Sequence, residues 1–536
     1  MSLPSLLRIG AAALSVGLSA FSLSQAGNLN VTKIKQITLS AFGSSAGNDC
    51  WGYVSPSGRE YALMGLNNKV AFVEITNPSS PTIVATIPHS SSTWCDIKVY
   101  GHYAYDVTET SGTGIQVIDM GQIDSGVVTL VKTIMSPGRS HNLVLNTDSG
   151  YLYTVGSREG TGTTTCFSLA DPANPVQVGV ASLTTDYQHD ANVVNYTSGP
   201  YAGHEIWFGC SEGRGVDVYD MTDKNAPVML KRITYPSMGY CHQAWLSADR
   251  KYLYVDDELD ELNSGGTINT RSLIFNVEDI AHASYVTSYT TGLPSIDHNQ
   301  YITDGFTFQA NYRSGLRIFD LAGNPEAPVQ VGYYDTYPSS DSDAFNGAWS
   351  NYPFFPSGTV IVSDIDTGLY ILDVTEATTR NVVPGAMTFP TNARVIGSVS
   401  DLAASDSSWV TINRINPLRQ TANPFVMTVT GTAYDTSPNK IRLTVQATAT
   451  GKLKSTTPNI TQHVRMFDWV ANAYVEVDTR LVSSVENPYE ITVPGDPSRY
   501  VNPTDRQVKA QMEWTTTATV GLQATTVNQF NFRITR

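Results

Sequence analysis

Short runs in which apolar and polar residues alternate, joined in pairs by polar turns, recur along this chain. In GYCHQAWLSADRKYLYVDDELDE (Gly239–Glu261), the first run opens with His242 and Ser247–Arg250 has the composition of a turn. The second run, Tyr252–Val255, ends in Asp256, Asp257 and Glu258. Alternation over four to six residues predicts a strand with one buried face, and two such strands across a tight turn pair antiparallel. The start of one strand then lies beside the end of the other, so His242 and the carboxylates point toward one place.

The same unit opens at His141 (SHNLVL, then GYLYTVG), His189 (QHDANVV, then HEIWFGC) and His298 (DHNQYI, then GFTFQANYRSG). Weaker copies begin at Cys50, Cys95 and Asn346. Aligned on this column, the spacings are 45, 46, 48, 53, 56 and 48 residues. Seven units at such a period predict an all-β fold, a seven-bladed β-propeller over residues 27–374 with one four-stranded sheet per copy. Third strands end in phrases such as VDVYDMTDKNAP and LRIFDLAGNPEAP, where Asp or Asn with Pro makes the turn to the outer strand. The last copy stops after its third strand, Leu369–Val374, while Val31–Leu39 has no hairpin partner nearby. That N-terminal strand (31–39) is expected to close the last blade and leave no open edge.

Residues 375–392 lose the repeat and are expected to be a linker. Residues 393–536 are rich in Thr and Val, with alternating runs such as NPFVMTVTGTAYD and NKIRLTVQATATG, which predicts a C-terminal β-sandwich. Trp409, Trp469, Tyr474 and Trp514 are expected in its core rather than on a sugar-stacking face. Residues 1–26 carry one charge, Arg8, then an apolar run from Ile9 to Leu23 and small residues at Ser24-Gln25-Ala26. This is the pattern of a signal peptide cleaved near Ala26, which implies a secreted, extracellular or cell-surface protein. No transmembrane segment is expected in the mature chain.

At 536 residues the chain is too long for a single core. Its 33 Lys and Arg against 48 Asp and Glu leave a formal net charge of −15, which disfavours nucleic acid or an anionic membrane as partner and suits the holding of cations. Five cysteines leave at least one outside any disulfide, and a Cys50–Cys95 bridge is one option that the sequence does not settle.

Several of these phrases belong together. FVEITNP, VYDMTD and RIFDLAG resemble LVIVD repeats. DCWGY (Asp49–Tyr53), REYALMGL (Arg59–Leu66), DELDEL (Asp257–Leu262), DHNQ (Asp297–Gln300), NYRSGLRI (Asn311–Ile318), FNGAW (Phe345–Trp349) and PFFPSGTVIVS (Pro353–Ser363) resemble the choice-of-anchor B family, over about residues 30–374. The resemblance implies an exported, repeat-built β-propeller and no particular chemistry. Members of the family differ in how their C-termini attach to the surface. This chain ends in QFNFRITR, without an apolar tail or sorting motif, so the resemblance leaves attachment open.

Innermost blade strands line the central channel, so the column gathers His141, His189, His242 and His298 at one mouth. Asp190, Gln243, Asp297, Asn299 and Asn346 flank them. Loops after the second strands add Asp257, Glu258, Asn311 and Arg313, with Glu109, Glu159, Glu212 and Asp366. Converging neutral imidazoles suit a divalent metal ion such as zinc, copper or manganese, with carboxylates orienting the rings or serving as base, and the acidic stretch suits calcium. The alternative is a purely structural histidine belt around ordered water. Arg313 is expected to neutralise the acidic mouth rather than clamp a substrate. G-x-S-x-G, H-E-x-x-H and Walker-type glycine loops are absent from the sequence. The favoured function is a non-enzymatic module that binds an extracellular glycan, protein or small molecule. A metal-dependent enzyme (lyase or oxidoreductase) and a structural envelope or biofilm component are the alternatives.

Overall fold

A computed structural model describes residues 27–157, 164–181, 187–389, 393–414, 425–451, 460–482, 487–516 and 522–536. The expected signal peptide (residues 1–26) and Glu159 lie outside these. The fold is nearly all β and propeller-like.

Seven antiparallel sheets follow one another, spanning 47–88, 95–134, 142–181, 190–233, 241–290, 299–334 and 348–373. The strands of each sheet pair in chain order. The first strands of successive sheets pack side by side, and Ala348–Tyr352 packs against Gly47–Val54, so the circuit closes. Second strands are buried along their whole length, as in Glu60–Leu66, Glu205–Cys210 and Thr359–Asp364. A sheet covered on both faces has no use for polar alternation, and its central strands read as continuous apolar runs. Fourth strands such as Val228–Ile233 are half exposed. The core is continuous between neighbouring sheets: Phe208 and Val218 of one pack with Leu253 and Phe275 of the next.

The N-terminal segment divides its role. Thr32–Ile37 pairs with Gly368–Asp373 as the outer strand of the last sheet, and Asn28–Leu29 adds a fifth strand to the sixth. The expected strand 31–39 is therefore shorter. Thr38 caps a helical turn, Leu39–Phe42, by accepting from the Ala41 N–H, which ends the extended run.

The expected linker 375–392 requires correction. Thr379–Val382 pairs with residues 532–535, and Ala386–Thr388 pairs with residues 428–430. Runs of three or four residues are too short to show a period, and their partners lie far along the chain. These two strands join opposite sheets of the C-terminal part, one containing Lys440–Gly451 and Leu522–Thr535, the other Phe425–Thr432 and Gln507–Thr516. Both sheets bury apolar residues, including Val429, Leu443, Met466 and Phe532, in one core. Trp514 is fully buried, whereas Trp409 is partly exposed.

Two arginines tie this part to the seven-sheet body. Arg380 makes a bidentate pair with Asp320 (2.9 and 2.8 Å) while lying over Phe306. Arg536 donates to the Pro353 carbonyl (3.0 Å) and lies over Phe308.

Candidate functional site

The first strands deliver the four histidines by two local routes. His141, His189 and His298 each stand one residue before a strand (Asn142–Asn146, Asp190–Asn195, Asn299–Thr303). The backbone N–H of His141 is held by the Val155 carbonyl, and that of His189 by the Cys210 carbonyl. His242 is inside the strand Cys241–Leu246, where pairing with Tyr252–Asp257 jumps from Cys241 to Gln243. It is the extra residue of a β-bulge, and the bulge turns its ring to the level of the others.

The rings form an arc. Centroids are 4.4 Å apart for His141–His189, 4.1 Å for His189–His242 and 4.4 Å for His242–His298. Each Nδ1 faces an acceptor: Glu109 Oε1 for His141 (2.7 Å), the His242 carbonyl for His189 (3.0 Å), the His298 carbonyl for His242 (3.0 Å) and the Trp349 carbonyl for His298 (2.6 Å). A carbonyl or carboxylate only accepts, so Nδ1 carries a proton, and in a neutral ring this leaves the lone pair on Nε2. Burial, with the neighbouring imidazoles adding to it, holds His242 well below the usual imidazole range, and burial lowers His298 to about 3. Both rings are therefore neutral at physiological pH.

Glu258 completes the group. Its Oε2 is 3.7 Å from His242 Nε2 and its Oε1 3.7 Å from His298 Nε2, while Oε1 accepts from the Tyr312 hydroxyl at 2.6 Å. Burial raises its carboxyl to about 7. A separation of 3.7 Å is too long for a hydrogen bond. It matches two ligands each about 2.1 Å from one ion with an angle near 120°, which stand about 3.6 Å apart. Ligand atoms of all three residues lie within 4.8 Å of one another. They face a cavity of about 610 Å³ walled by Trp94, Tyr187, Tyr240, Tyr312, Phe345 and Trp349.

Of the other sequence-predicted residues among those described, Glu109 lines this cavity beside His141 and the rest do not. Asp257 is consumed by the Tyr235 hydroxyl and the N–H groups of Gly239 and Tyr240. Asp297 lies behind His298 and accepts from the Asp257 N–H. Asn311 is buried against Gln309, and Asn299 donates to the Trp349 carbonyl. Arg313 binds Asn346 and Ser342 and lies over Tyr337, and Asn346 also reaches Asp366; Arg313 does not neutralise the mouth. Strand geometry explains these departures: a residue one step along points to another face and sits about 3.3 Å deeper.

Asp190 and Gln243 instead line a second cavity, of 500 Å³, at the other end of the channel, with Trp51, Trp245, Tyr301 and Phe354. Lys98, which also lines this second cavity, is buried against Asp96 (2.5 Å) and Asp49 (3.3 Å) and lies over Trp51.

Two places in the column also change. The carbonyl that receives His298 belongs to Trp349, the extra residue of another bulge between Ala348 and Ser350, so Trp349 rather than Asn346 continues the arc. Trp94 rather than Cys95 faces the cavity. All five cysteines are buried and free, Cys50 and Cys95 included. Simple alternation does not reveal the aromatic wall, although Tyr187 and Tyr240 each stand two residues before a column histidine.

No protein-family model matches this chain, and no curated protein does. Solved structures similar to it include hydrazine synthase of Kuenenia stuttgartiensis (10% identity, TM-score 0.42, covering 60% of this chain and 94% of that one). A functionally unknown protein from Desulfotomaculum acetoxidans (13%, 0.39, 56% and 88%) and the C-terminal WD40 domain of Sif2 (9%, 0.37, 61% and 80%) are also similar. Among the described residues no helix is long and apolar enough to cross a membrane.

Proposed function

We propose that this chain is an exported or cell-surface seven-bladed β-propeller of the choice-of-anchor B type with a C-terminal β-sandwich. In this reading it holds a divalent transition metal at the channel mouth and binds a small extracellular ligand or glycan end there. His242, His298 and Glu258 are the ligands, with His189 and His141 beside them. The observation that carries the reading is the locking of each Nδ1–H on a fixed acceptor while Nε2 of His242 and of His298 stands 3.7 Å from one carboxylate. Metal-binding histidines are commonly oriented through the second nitrogen in this way. The aromatic wall supplies the flat apolar surface that small-ligand sites use.

Elemental analysis of the purified chain tests it. The expected result is about one equivalent of zinc, copper or manganese, lost in a His242→Ala/His298→Ala variant that keeps its circular dichroism spectrum. A folded wild-type protein that takes up none of these metals on reconstitution would refute the reading.

A metal-dependent lyase or oxidoreductase is the second reading. It is favoured by the Tyr312 hydroxyl, which stands against Glu258 at the cavity wall as a proton donor. Loss of turnover in Tyr312→Phe with metal retained would distinguish it from simple binding.

A further inference from the structure

Behind the histidine pocket, three more carboxylates are sealed in the protein. Asp260 and Glu261 open the short helix Asp260–Asn263, two and three residues after Glu258, and Asp297 directly precedes His298. Asp260 is buried, and Glu261 and Asp297 have 0% exposure. One oxygen from each residue lies within 4.8 Å of the others. Arg271 Nε holds Asp260 Oδ2, and the Asp257 N–H holds Asp297 Oδ2. Asp260 Oδ1, Asp297 Oδ1 and both oxygens of Glu261 accept no hydrogen bond of good geometry among the described residues, and the Asp260 and Glu261 carboxyls face each other.

Four such oxygens converging out of contact with water are unfavourable unless something positive or protic stands among them. Arg271 supplies one positive charge against these three carboxylates, so two negative charges remain among them, with the Asp257 carboxylate close by. The group therefore takes up either protons or a cation.

We propose that Asp260, Glu261 and Asp297 hold a calcium ion, with Glu261 bidentate. Calcium binds oxygen at about 2.3–2.6 Å, so ligands on opposite sides of it stand roughly 5 Å apart, and the observed separation fits. Its double charge closes the balance left by Arg271. Magnesium demands near-octahedral geometry and keeps several waters, which suits an enclosed all-carboxylate site less well. The ion joins the segment carrying Glu258 to the segment carrying His298. A bracing effect on the transition-metal pocket follows only if the function proposed above holds, whereas the calcium site stands without it.

The test uses the full chain dialysed against EGTA and then titrated with calcium chloride. Thermal unfolding and terbium luminescence excited through the aromatic residues are the readouts. The expected result is one ion per chain, a Tm that rises with free calcium by at least about 3 °C at saturation, and terbium emission displaced by calcium. Glu261→Gln and Asp297→Asn are expected to lose the calcium-dependent rise. His242→Ala/His298→Ala is expected to keep it, which separates this site from the pocket. A wild type whose Tm ignores calcium, together with amide variants more stable than wild type in EGTA, would overturn the proposal and show carboxyls sharing protons. Loss of the calcium response in the histidine double variant would overturn the assignment to these three residues.

Discussion

Lys98 offers the sharpest measurement of how the channel is held together. Its ammonium is buried between Asp96 and Asp49 and lies 4.6 Å from the Trp51 ring centroid. Burial pushes both carboxyls up, yet Lys98 and the hydrogen bond from Asp49 pull Asp96 below its ordinary value, while Asp49 stays well above. The trio is thus led by one ion pair, Lys98 with Asp96, beside an Asp49 that holds its proton to higher pH than a free carboxyl. In Lys98→Met, Asp96 keeps the Asp49 hydrogen bond but loses its counter-charge. Removing one partner of a buried pair costs about 3–5 kcal/mol, and the remaining hydrogen bond places the expected loss near 3 kcal/mol at pH 7. The sign of the pH effect follows from Asp96. In the wild type its lowered value contributes stability above the unfolded pKa of about 3.9 that is lost as pH falls through the folded value. In the variant, burial is opposed only by the Asp49 hydrogen bond and the N–H groups of Ile97 and Leu143, and the folded value is expected to rise above about 3.9, so the penalty is absent at low pH and grows toward neutrality. Urea unfolding followed by tryptophan fluorescence should show a wild-type-to-variant gap that narrows from pH 7 to pH 4. Lys98→Met/Asp96→Asn should recover most of the loss. A gap below about 1 kcal/mol at pH 7, or one that does not change with pH, would refute the assignment of charges.

Two further outcomes follow from packing and docking. Arg380→Ala removes the bidentate pair with Asp320 and the contact with Phe306, and is expected to cost about 1–3 kcal/mol and to split thermal unfolding into two transitions in calorimetry. A single unshifted transition would contradict that role. A methyl group on Gly65 would meet Cys95 Sγ at 2.7 Å and the Asp49 carbonyl at 2.8 Å, so Gly65→Ala should lower stability by about 1–3 kcal/mol. Gly323→Ala, which meets nothing within 4 Å, should be near neutral, and equal denaturation midpoints for the two variants would disprove the close packing.

The hairpin period was legible because each sheet is laid down in chain order around a first strand, so one motif recurs with one residue at its start. His141, His189 and His298 hold that place by simple periodicity. His242 and Trp349 reach it through bulges that insert a residue, a shift that alternation cannot show. Glu258 was legible as the end of a second strand, but its neighbour Asp257 points away to cap Gly239 and Tyr240. Arg313 was misplaced because its true partners, Asn346 and Ser342, lie in a loop whose course no periodicity predicts. The strands at 379–382 and 386–388 were invisible because they are defined by partners supplied from afar.

The pairing of Thr32–Ile37 with Gly368–Asp373 sets an order of events during synthesis. Gln36 reaches Thr367 across 331 positions, so the strand Thr32–Ile37 waits through the production of nearly the whole ring before its neighbour exists. Until then, the growing chain carries two unsatisfied rims, and any product that stops short of Asp373 keeps them. Joining the ends late completes the circle in a single step, which makes the integrity of the whole ring depend on the short strand Thr32–Ile37.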